Sequence, residues 1–230
     1  PPRSTLFPYT TLFRSMIKSG GDPDLRATTD PMDFDNLLGT GTWDGTPQGF
    51  GIQNLGLSGN RADQTAGSGV EFYGKRLYCN NVIIHDIFDK GWFSTNGNDA
   101  GQASFHDMPE SQIGPLWIRR CNNVGFHFMG PHDATISYLL VAGGVNGIIL
   151  EADETSEASV DIGHIHQYNA TGIGVKIRKG CRIDTLIAEN NGHHGVQIDA
   201  WQCQISKMLL YKNCKTDRKS TRLNSSHRIR

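Results

Sequence analysis

The chain reads Gly147-Ile148-Ile149-Leu150 in its second half, and this phrase of a glycine, an apolar residue, a variable residue and a further apolar residue occurs six times, with Ser94 in the last position of one copy. The intervals between successive glycines are 22, 34, 22, 27 and 21 residues. Alternation with period two predicts a short strand in each copy. A period of roughly 22 residues indicates a repeat architecture with room for short strands and tight turns but not for a full helix. The copies begin at Gly69, Gly91, Gly125, Gly147, Gly174 and Gly195.

Each repeat carries a second apolar run before its glycine, for example Leu139-Leu140-Val141 ahead of Gly147. Asparagine or glycine follows most of these runs, as in Asn190-Asn191. Both residue types tolerate left-handed backbone and suit the corners between strands, where stacked asparagines could also hydrogen-bond from rung to rung. The sequence therefore predicts an all-β fold, a single-stranded right-handed parallel β-helix that forms a solenoid of about six or seven coils.

The repeats also predict the domain organisation. We expect the parallel β-helix to span residues 49–216 and a lead-in segment at 16–48 to cover its open end, because an uncapped end would expose apolar core and unpaired strand edges. Residues 1–15 and 217–230 fit no repeat. They resemble translated sequencing-adapter read-through, and we expect them to be non-native, which would make the chain a fragment of a longer protein. The alternative is that either end is a genuine basic tail.

The charge distribution narrows the class of partner. The formal net charge is −1, and the two terminal segments carry seven basic residues and one acidic residue, a net charge of +6. The remaining 201 residues therefore carry −7, which argues against a nucleic-acid partner. No run of 18 apolar residues occurs, so no membrane-spanning segment is predicted.

Alternation along the glycine-led strand predicts which side chains point out of the solenoid. Glu151, Arg178 and Asp199 then fall in one outward column on three successive rungs. With rungs about 4.8 Å apart, the two carboxylates would lie roughly 9–10 Å apart at the backbone. Inverting glycosidases separate their acid and base by about 6.5–9.5 Å, so we predict Glu151 and Asp199 as catalytic residues, with Arg178 between them. The alternative is an ion ladder on a solvated sheet face.

The neighbouring outward column and the nearby loops predict contacts with a substrate. Insertions at residues 96–114 and 151–157 leave the solenoid after the glycine-led strand, at the corner that Gly130-Pro131-His132-Asp133 also occupies. Loops rising at one corner of a rigid scaffold would wall one side of a groove, where an exposed aromatic ring could stack on a sugar. The predicted substrate-binding residues are Glu71, Phe93, His127, Lys176, His132 and Asp133.

No cofactor is predicted. The sequence has no CxxC pair, and no third ligand can be placed beside His164 and His166, so no metal site is predicted. The acidic run at 151–157 could bind calcium through its carboxylates, and a plain hydrophilic loop is the interpretation that we prefer. Cys181 and Cys203 are 22 residues apart, which is one rung, and should stack as buried thiols, with a disulfide as the alternative.

The chain resembles the pectate-lyase-like superfamily of right-handed parallel β-helices over roughly residues 49–216. The segment 51–60, the strand at Gly69 and the Gly130–Asp133 corner are most similar to phage tail-spike proteins and related polysaccharide-degrading enzymes. Enzymes of this superfamily commonly carry arginine or lysine on the outward face, which implies that Lys176 and Arg178 bind a uronate or assist proton abstraction. The fold hosts hydrolases, lyases, esterases and passive spikes, so the resemblance implies no single chemistry.

The expected function is polysaccharide binding with cleavage by hydrolysis or β-elimination, as in a phage tail-spike or a secreted bacterial enzyme. The alternative is a non-catalytic structural or adhesive spike whose groove binds glycan. The resemblance implies a virion or extracellular location and a homotrimer. The expected partner is a polysaccharide, and neither nucleic acid nor membrane is expected as one.

Overall fold

The computed structural model describes residues 15–19, 51–63, 65–73, 77–95, 111–130, 133–151 and 160–214. These residues form strands and no helix, and so contain no helix able to cross a membrane. In chain order the strands are Ser15–Ser19 (β1), Gly51–Ser58 (β2), Ser68–Tyr73 (β3), Tyr78–His85 (β4), Trp92–Thr95 (β5), Gln112–Ile113 (β6), Leu116–Arg119 (β7), Val124–Phe128 (β8), Ala134–Ala142 (β9), Asn146–Glu151 (β10), Val160–Tyr168 (β11), Val175–Arg178 (β12), Cys181–Glu189 (β13), Val196–Ile198 (β14) and Cys203–Tyr211 (β15).

The strands stack into two sheets that run along the solenoid. The first sheet has the order β1-β3-β5-β8-β10-β12-β14, and the second has the order β15-β13-β11-β9-β6-β4-β2, with β7 pairing with β4 and β9. The strand pairs in the described ranges are parallel, and the chain alternates between the sheets from one strand to the next, apart from β6 and β7, which share a coil. This winding gives about six turns and confirms the predicted all-β parallel β-helix.

The register between rungs follows the glycine repeat. Ile149 lies opposite His127 on one side and Lys176 on the other. His127 lies opposite Phe93, and Lys176 lies opposite Gln197. Residues that the period places one rung apart are therefore vertical neighbours, including those separated by the two longer intervals.

The strand β1 lies outside the predicted β-helix domain. It pairs with β3, with Ser15 opposite Ser68 and Ile17 opposite Val70. It therefore adds a rung at one end of the first sheet. The domain boundaries and the origin of the terminal segments stay predictions.

Inward-facing side chains fill the space between the sheets. Phe126, Ile148 and Val175 form one inward column of the first sheet, and each is fully buried. Trp92 continues this column and stacks on Phe126, with ring centroids 5.9 Å apart. Burying such a side chain contributes about 1.5–3 kcal/mol relative to leaving it exposed, so these columns are a main source of stability.

Close approach between rungs explains the repeated glycine. A Cβ atom added at Gly147 would lie 2.6 Å from the carbonyl oxygen of Gly174, and one added at Gly174 would lie 2.5 Å from the carbonyl oxygen of Gly195. Gly69 has the same relation to the carbonyl oxygen of Gly91, at 2.6 Å. A backbone oxygen cannot rotate away as a side chain can, and protein interiors hold no spare volume. The glycine column is therefore a steric requirement of the stacking.

The corner after each long strand takes a left-handed residue. Gly143, Asn169 and Asn190 have positive φ at the predicted corners. In two other coils the left-handed residue is Arg120 or Lys212, although asparagines follow further along the chain. In these coils the first residue after the strand makes the turn, whatever its type.

Amide side chains form the predicted contacts between rungs, inside the corner. Asn191 Nδ2 donates to Gln167 Oε1 at 2.7 Å and to Asn213 Oδ1 at 2.8 Å. Gln167 Nε2 in turn donates to Asn191 Oδ1 at 2.9 Å. Gln167 and Asn191 are fully buried, so these bonds satisfy polar groups that would otherwise be costly in the core.

The predicted cysteine stack is present between β13 and β15. Cys181 lies opposite Cys203, and their Sγ atoms are 3.4 Å apart. Both are free thiols. The pair therefore matches the predicted thiol stack and not the alternative disulfide, except that Cys203 is half-buried where a buried thiol was predicted.

Candidate functional site

The outward face of the first sheet carries most of the predicted site residues. The register places Phe93, His127 and Lys176 in one outward column, with Ile149 between His127 and Lys176. These side chains are half-buried, since each is flanked by neighbours on adjacent rungs. Glu71 belongs to the same column but lies two rungs before His127. The order of the column is as predicted, and Glu71 lies on β3, near the end of the sheet that β1 forms.

Glu151, Arg178 and Asp199 lie on successive rungs, as predicted. Glu151 lies opposite Arg178, and the backbone N–H of Asp199 donates to the carbonyl oxygen of Ile177 at 2.8 Å. Arg178 Nη1 donates to Glu151 Oε2 at 3.2 Å. Asp199 instead accepts a hydrogen bond from Gln197 Nε2 at 2.8 Å. Of the two carboxylates, the one that the guanidinium binds is therefore Glu151.

Glu151 makes a second contact that the sequence analysis did not predict. Its Oε1 atom lies 2.5 Å from Nε2 of His127. The two residues are diagonal neighbours, because His127 lies opposite Ile149 and Glu151 follows two residues later in β10. Alternation assigns them to different columns, and only the diagonal reach of long side chains across adjacent strands joins them. His127, Glu151 and Arg178 together form what we call the polar cluster.

The polar cluster sets the protonation of its members. Burial would raise the pKa of Glu151, but the hydrogen bond from His127 and the guanidinium of Arg178 outweigh burial and hold this pKa below its ordinary value of 4.5. Burial lowers the pKa of His127 below 6.5, and the neighbouring carboxylate offsets only part of that shift. At neutral pH Glu151 is therefore ionised and His127 is neutral, with its Nε2–H donating to the carboxylate.

The other ring nitrogen of His127 is the basic one in this state. Nδ1 is buried and has no hydrogen-bond partner among the described residues. A neutral imidazole whose N–H is held by a carboxylate keeps a defined tautomer and orientation. The pair could therefore hold or move a proton at Nδ1 once a ligand or water reaches it.

We expect acidification to destabilise the folded protein through His127. The unfolded chain takes up a proton on this histidine near pH 6.5, whereas folded His127 takes it up only at lower pH. The stabilising contribution is fully present above pH 6.5 and is lost as the pH falls through the lower folded pKa. Glu151 adds a further loss below its ordinary pKa of 4.5. Urea unfolding between about pH 7.5 and pH 5 measures the first effect.

A pair of substitutions isolates the histidine. His127→Gln keeps a polar side chain that cannot titrate, so the free energy of unfolding should fall less steeply with acidification than in the wild type. His194→Gln is the matched control, because His194 lies exposed in a turn, and it should keep the wild-type slope. A wild-type slope in His127→Gln would refute the assignment.

A cation and an aromatic ring extend the polar cluster along the column. The Phe93 and His127 rings lie 5.2 Å apart at 59°, and Lys90 Nζ lies 5.0 Å from the Phe93 ring centroid. Lys90 also lies 3.4 Å from a carboxylate oxygen of Asp89. Lys90 was not predicted, because this residue lies at the corner before Gly91, where strand alternation does not apply. Its position places a positive charge beside the aromatic surface.

The remaining predicted contacts lie in loops. His132 lies outside the described residues, and so do residues 96–110 and 152–159, which make up most of the two insertions. Asp133 is exposed, with φ of 54°, immediately before β9. The groove walls therefore stay a prediction.

The part of the chain that the structure describes contains no candidate metal site. These residues contain no group of three His, Cys, Asp or Glu side chains arranged to hold a metal ion. The acidic run considered for calcium lies, beyond Glu151, among residues that are not described. Calcium binding by that run stays a prediction.

Comparison with known proteins leaves the chain without a matching relative. No protein-family model, curated protein or solved structure matches it. The fold and the site define the class instead, which is a parallel β-solenoid whose first sheet presents a His–Glu–Arg cluster beside an aromatic ring and a lysine. Membership of the pectate-lyase-like superfamily stays a proposal.

Proposed function

We propose that this protein binds polysaccharide along the outward face of the first sheet and cleaves it at the polar cluster together with Asp199. The observation that carries the proposal is the row of Glu151, Arg178 and Asp199 on three successive rungs, with His127 hydrogen-bonded to Glu151. Such a row runs along the solenoid axis, so an extended polymer could contact several rungs at once. The resemblance to pectate-lyase-like proteins supports the same substrate class.

The residues around the polar cluster suit a sugar chain. Phe93, with Lys90 over its ring, places apolar surface and a cation beside the polar cluster. Lys90, Lys176 and Arg178 offer donors for hydroxyl or carboxylate groups of an acidic sugar. Because residues 16–216 carry a net charge of −7, an anionic polymer would depend on this local group of cations. Asp133 lies exposed at the loop that would border the groove.

Hydrolysis needs a proton donor and a base. Because Glu151 is held ionised, it suits the base, and the proton donor would be Asp199. Asp199 would give its proton to the glycosidic oxygen while Glu151 accepts a proton from the attacking water. Two rung spacings of about 4.8 Å separate the two residues, close to the roughly 6.5–9.5 Å of inverting glycosidases. β-Elimination needs one base and neutralisation of a uronate, a role for which Arg178 and Lys176 are placed.

A panel of capsular and plant polysaccharides tests the proposal. Hydrolysis releases reducing ends, and β-elimination additionally creates the absorbance of an unsaturated uronate, so two readouts separate the reaction classes. Asp199→Asn should lower turnover roughly 10²–10⁴-fold by removing the proton donor. Asp161→Asn is the matched control, because Asp161 is a half-buried carboxylate on the second sheet, 2.5 Å from Arg182. Full activity in Asp199→Asn would reject its role.

A non-catalytic spike that binds glycan is the second candidate. The observation that favours it is that both carboxylate oxygens of Glu151 are occupied, by His127 and Arg178, as in an ion ladder that relieves repulsion on a sheet face. Retained binding to a polymer, with neither reducing ends nor unsaturated product, would support this candidate. Either function fits the proposed virion or extracellular location.

A further inference from the structure

The outward face of the second sheet carries a column of mostly apolar side chains. Strand pairing from β4 to β15 stacks the following side chains, which we call the apolar column: Ile83, Trp117, Leu140, His166, Ile187 and Leu209. All except the histidine are large and apolar. Ile84, the next residue after Ile83, points inward and is 0% exposed, whereas Ile83 is 46% exposed and Leu209 at the other end is 54% exposed. A sheet face that stays in water normally carries polar side chains, and contiguous apolar patches mark contact sites.

The rings beside the apolar column indicate what kind of partner fits. Tyr138 and His164 stack at 5.1 Å with only 5° between their planes, and Trp117 lies 6.1 Å from Tyr138. Rings stacked in this way cover each other's faces and present their edges outward. A sugar binds to a free aromatic face, so this surface suits a flat protein partner better than a glycan.

The column next to the apolar column carries complementary charges. From β4 to β15 it consists of His85, Arg119, Ala142, Tyr168, Glu189 and Tyr211. Arg119 is exposed on β7, and Glu189 on β13 is half-buried, with an oxygen 3.0 Å from Nε2 of His166. The two charges are equally distant, in rungs, from the midpoint between β9 and β11. A two-fold axis through that midpoint, running along the strands, would therefore place each charge opposite the other.

We propose that a second copy of this chain packs antiparallel on the apolar column, about this two-fold axis. Arg119 of each copy then faces Glu189 of the other, and Ala142 faces Tyr168, a small side chain against a large one. The apolar column of one copy covers that of the other. A parallel arrangement does not bring Arg119 and Glu189 together. The dimer is two-fold, so it differs from the homotrimer implied by the resemblance, and it does not depend on the proposed function.

The size of the face sets the expected affinity. Five rung spacings of about 4.8 Å give a length of about 24 Å, and four residues along a strand give a width of about 13 Å. These dimensions give a contact of about 300 Å² per copy, below the roughly 800 Å² per partner of a standard interface, so we expect a weak complex. We therefore expect a micromolar Kd, which calls for measurement over chain concentrations from about 1 to 200 μM.

Sedimentation equilibrium of the full 230-residue chain tests the dimer. Trp117→Glu puts a charge in the apolar column and should raise the Kd roughly 10–100-fold. Gln204→Glu is the matched control, because Gln204 is exposed at the start of β15, in the same sheet but outside the apolar column, and it should dimerise as the wild type does. Far-ultraviolet circular dichroism checks that each variant is folded.

A charge exchange tests the antiparallel arrangement without relying on a core-adjacent change. Arg119→Glu and Glu189→Arg should each weaken the dimer by about tenfold, and the double variant should return to within about threefold of the wild-type Kd. A wild-type chain that is monomeric at every concentration overturns the proposal, as does a Trp117→Glu variant that dimerises normally. A double variant no tighter than the single variants overturns the two-fold geometry.

Discussion

Gly147→Ala is expected to lower the free energy of unfolding by about 3 kcal/mol, the upper part of the range for inserting a methyl group into a packed core. The added Cβ would lie 2.6 Å from the carbonyl oxygen of Gly174 and 2.6 Å from atoms of the buried Gln167 side chain. Relief would require the two rungs to separate, because neither the backbone oxygen nor the hydrogen-bonded amide is free to move. Urea unfolding followed by circular dichroism measures the change.

Gly56→Ala is the matched control for this prediction. A Cβ at Gly56 meets nothing within 4 Å, since the residue lies exposed on β2. The substitution should change stability by less than about 0.5 kcal/mol. Equal effects at both positions would mean that the glycine column reflects turn chemistry and not contact between rungs.

Glu151→Gln is expected to lower the rate of polysaccharide cleavage roughly 10²–10⁴-fold, because the amide cannot act as a base. Glutamine keeps the size of the side chain, but it removes the negative charge that Arg178 Nη1 contacts at 3.2 Å. Leaving the half-buried cluster with an unmatched cation should also cost about 1–3 kcal/mol of folding stability. The kcat/KM on the polymer cleaved by the wild type and the urea midpoint measure the two effects.

Asp161→Asn also serves as the control here, since it removes a carboxylate that an arginine binds, on the opposite sheet. It should leave turnover unchanged. Normal turnover in Glu151→Gln would exclude a catalytic role for Glu151, even if the loss of stability were observed. The polar cluster would then be the ion ladder of the non-catalytic alternative.

The register could be predicted from sequence because it depends on spacing alone. Glycines that must approach the next rung recur at each coil, and the residues after them alternate between core and solvent, so the column from Phe93 through His127 to Lys176 followed directly. Strand alternation assigns a face to each side chain but not a hydrogen-bond partner. Side-chain rotamers decide these partners, and the pattern does not specify rotamers. Examples are the diagonal contact of His127 with Glu151 and the hydrogen bond between Gln197 and Asp199.

Residues outside the strands were harder to predict for a different reason. Lys90 lies at a corner, where no periodicity applies, and its place over the Phe93 ring follows from the path of the turn.

The apolar column of the second sheet belongs to the second apolar run of each repeat, so its residues were already visible in the sequence. Those apolar runs were assigned only to the core, although the long strands of the second sheet have an outward face as well.

Affinity electrophoresis in gels containing each polysaccharide of the panel tests most directly whether the outward face of the first sheet binds glycan. Arg178→Ala removes a cation of the polar cluster, and Arg182→Ala removes an exposed arginine of the second sheet that binds Asp161. We predict that at least one polymer retards the wild type and Arg182→Ala equally, and that Arg178→Ala binds it about tenfold more weakly. Equal retardation of Arg178→Ala, or no retardation of the wild type by any polymer, would contradict the proposed site.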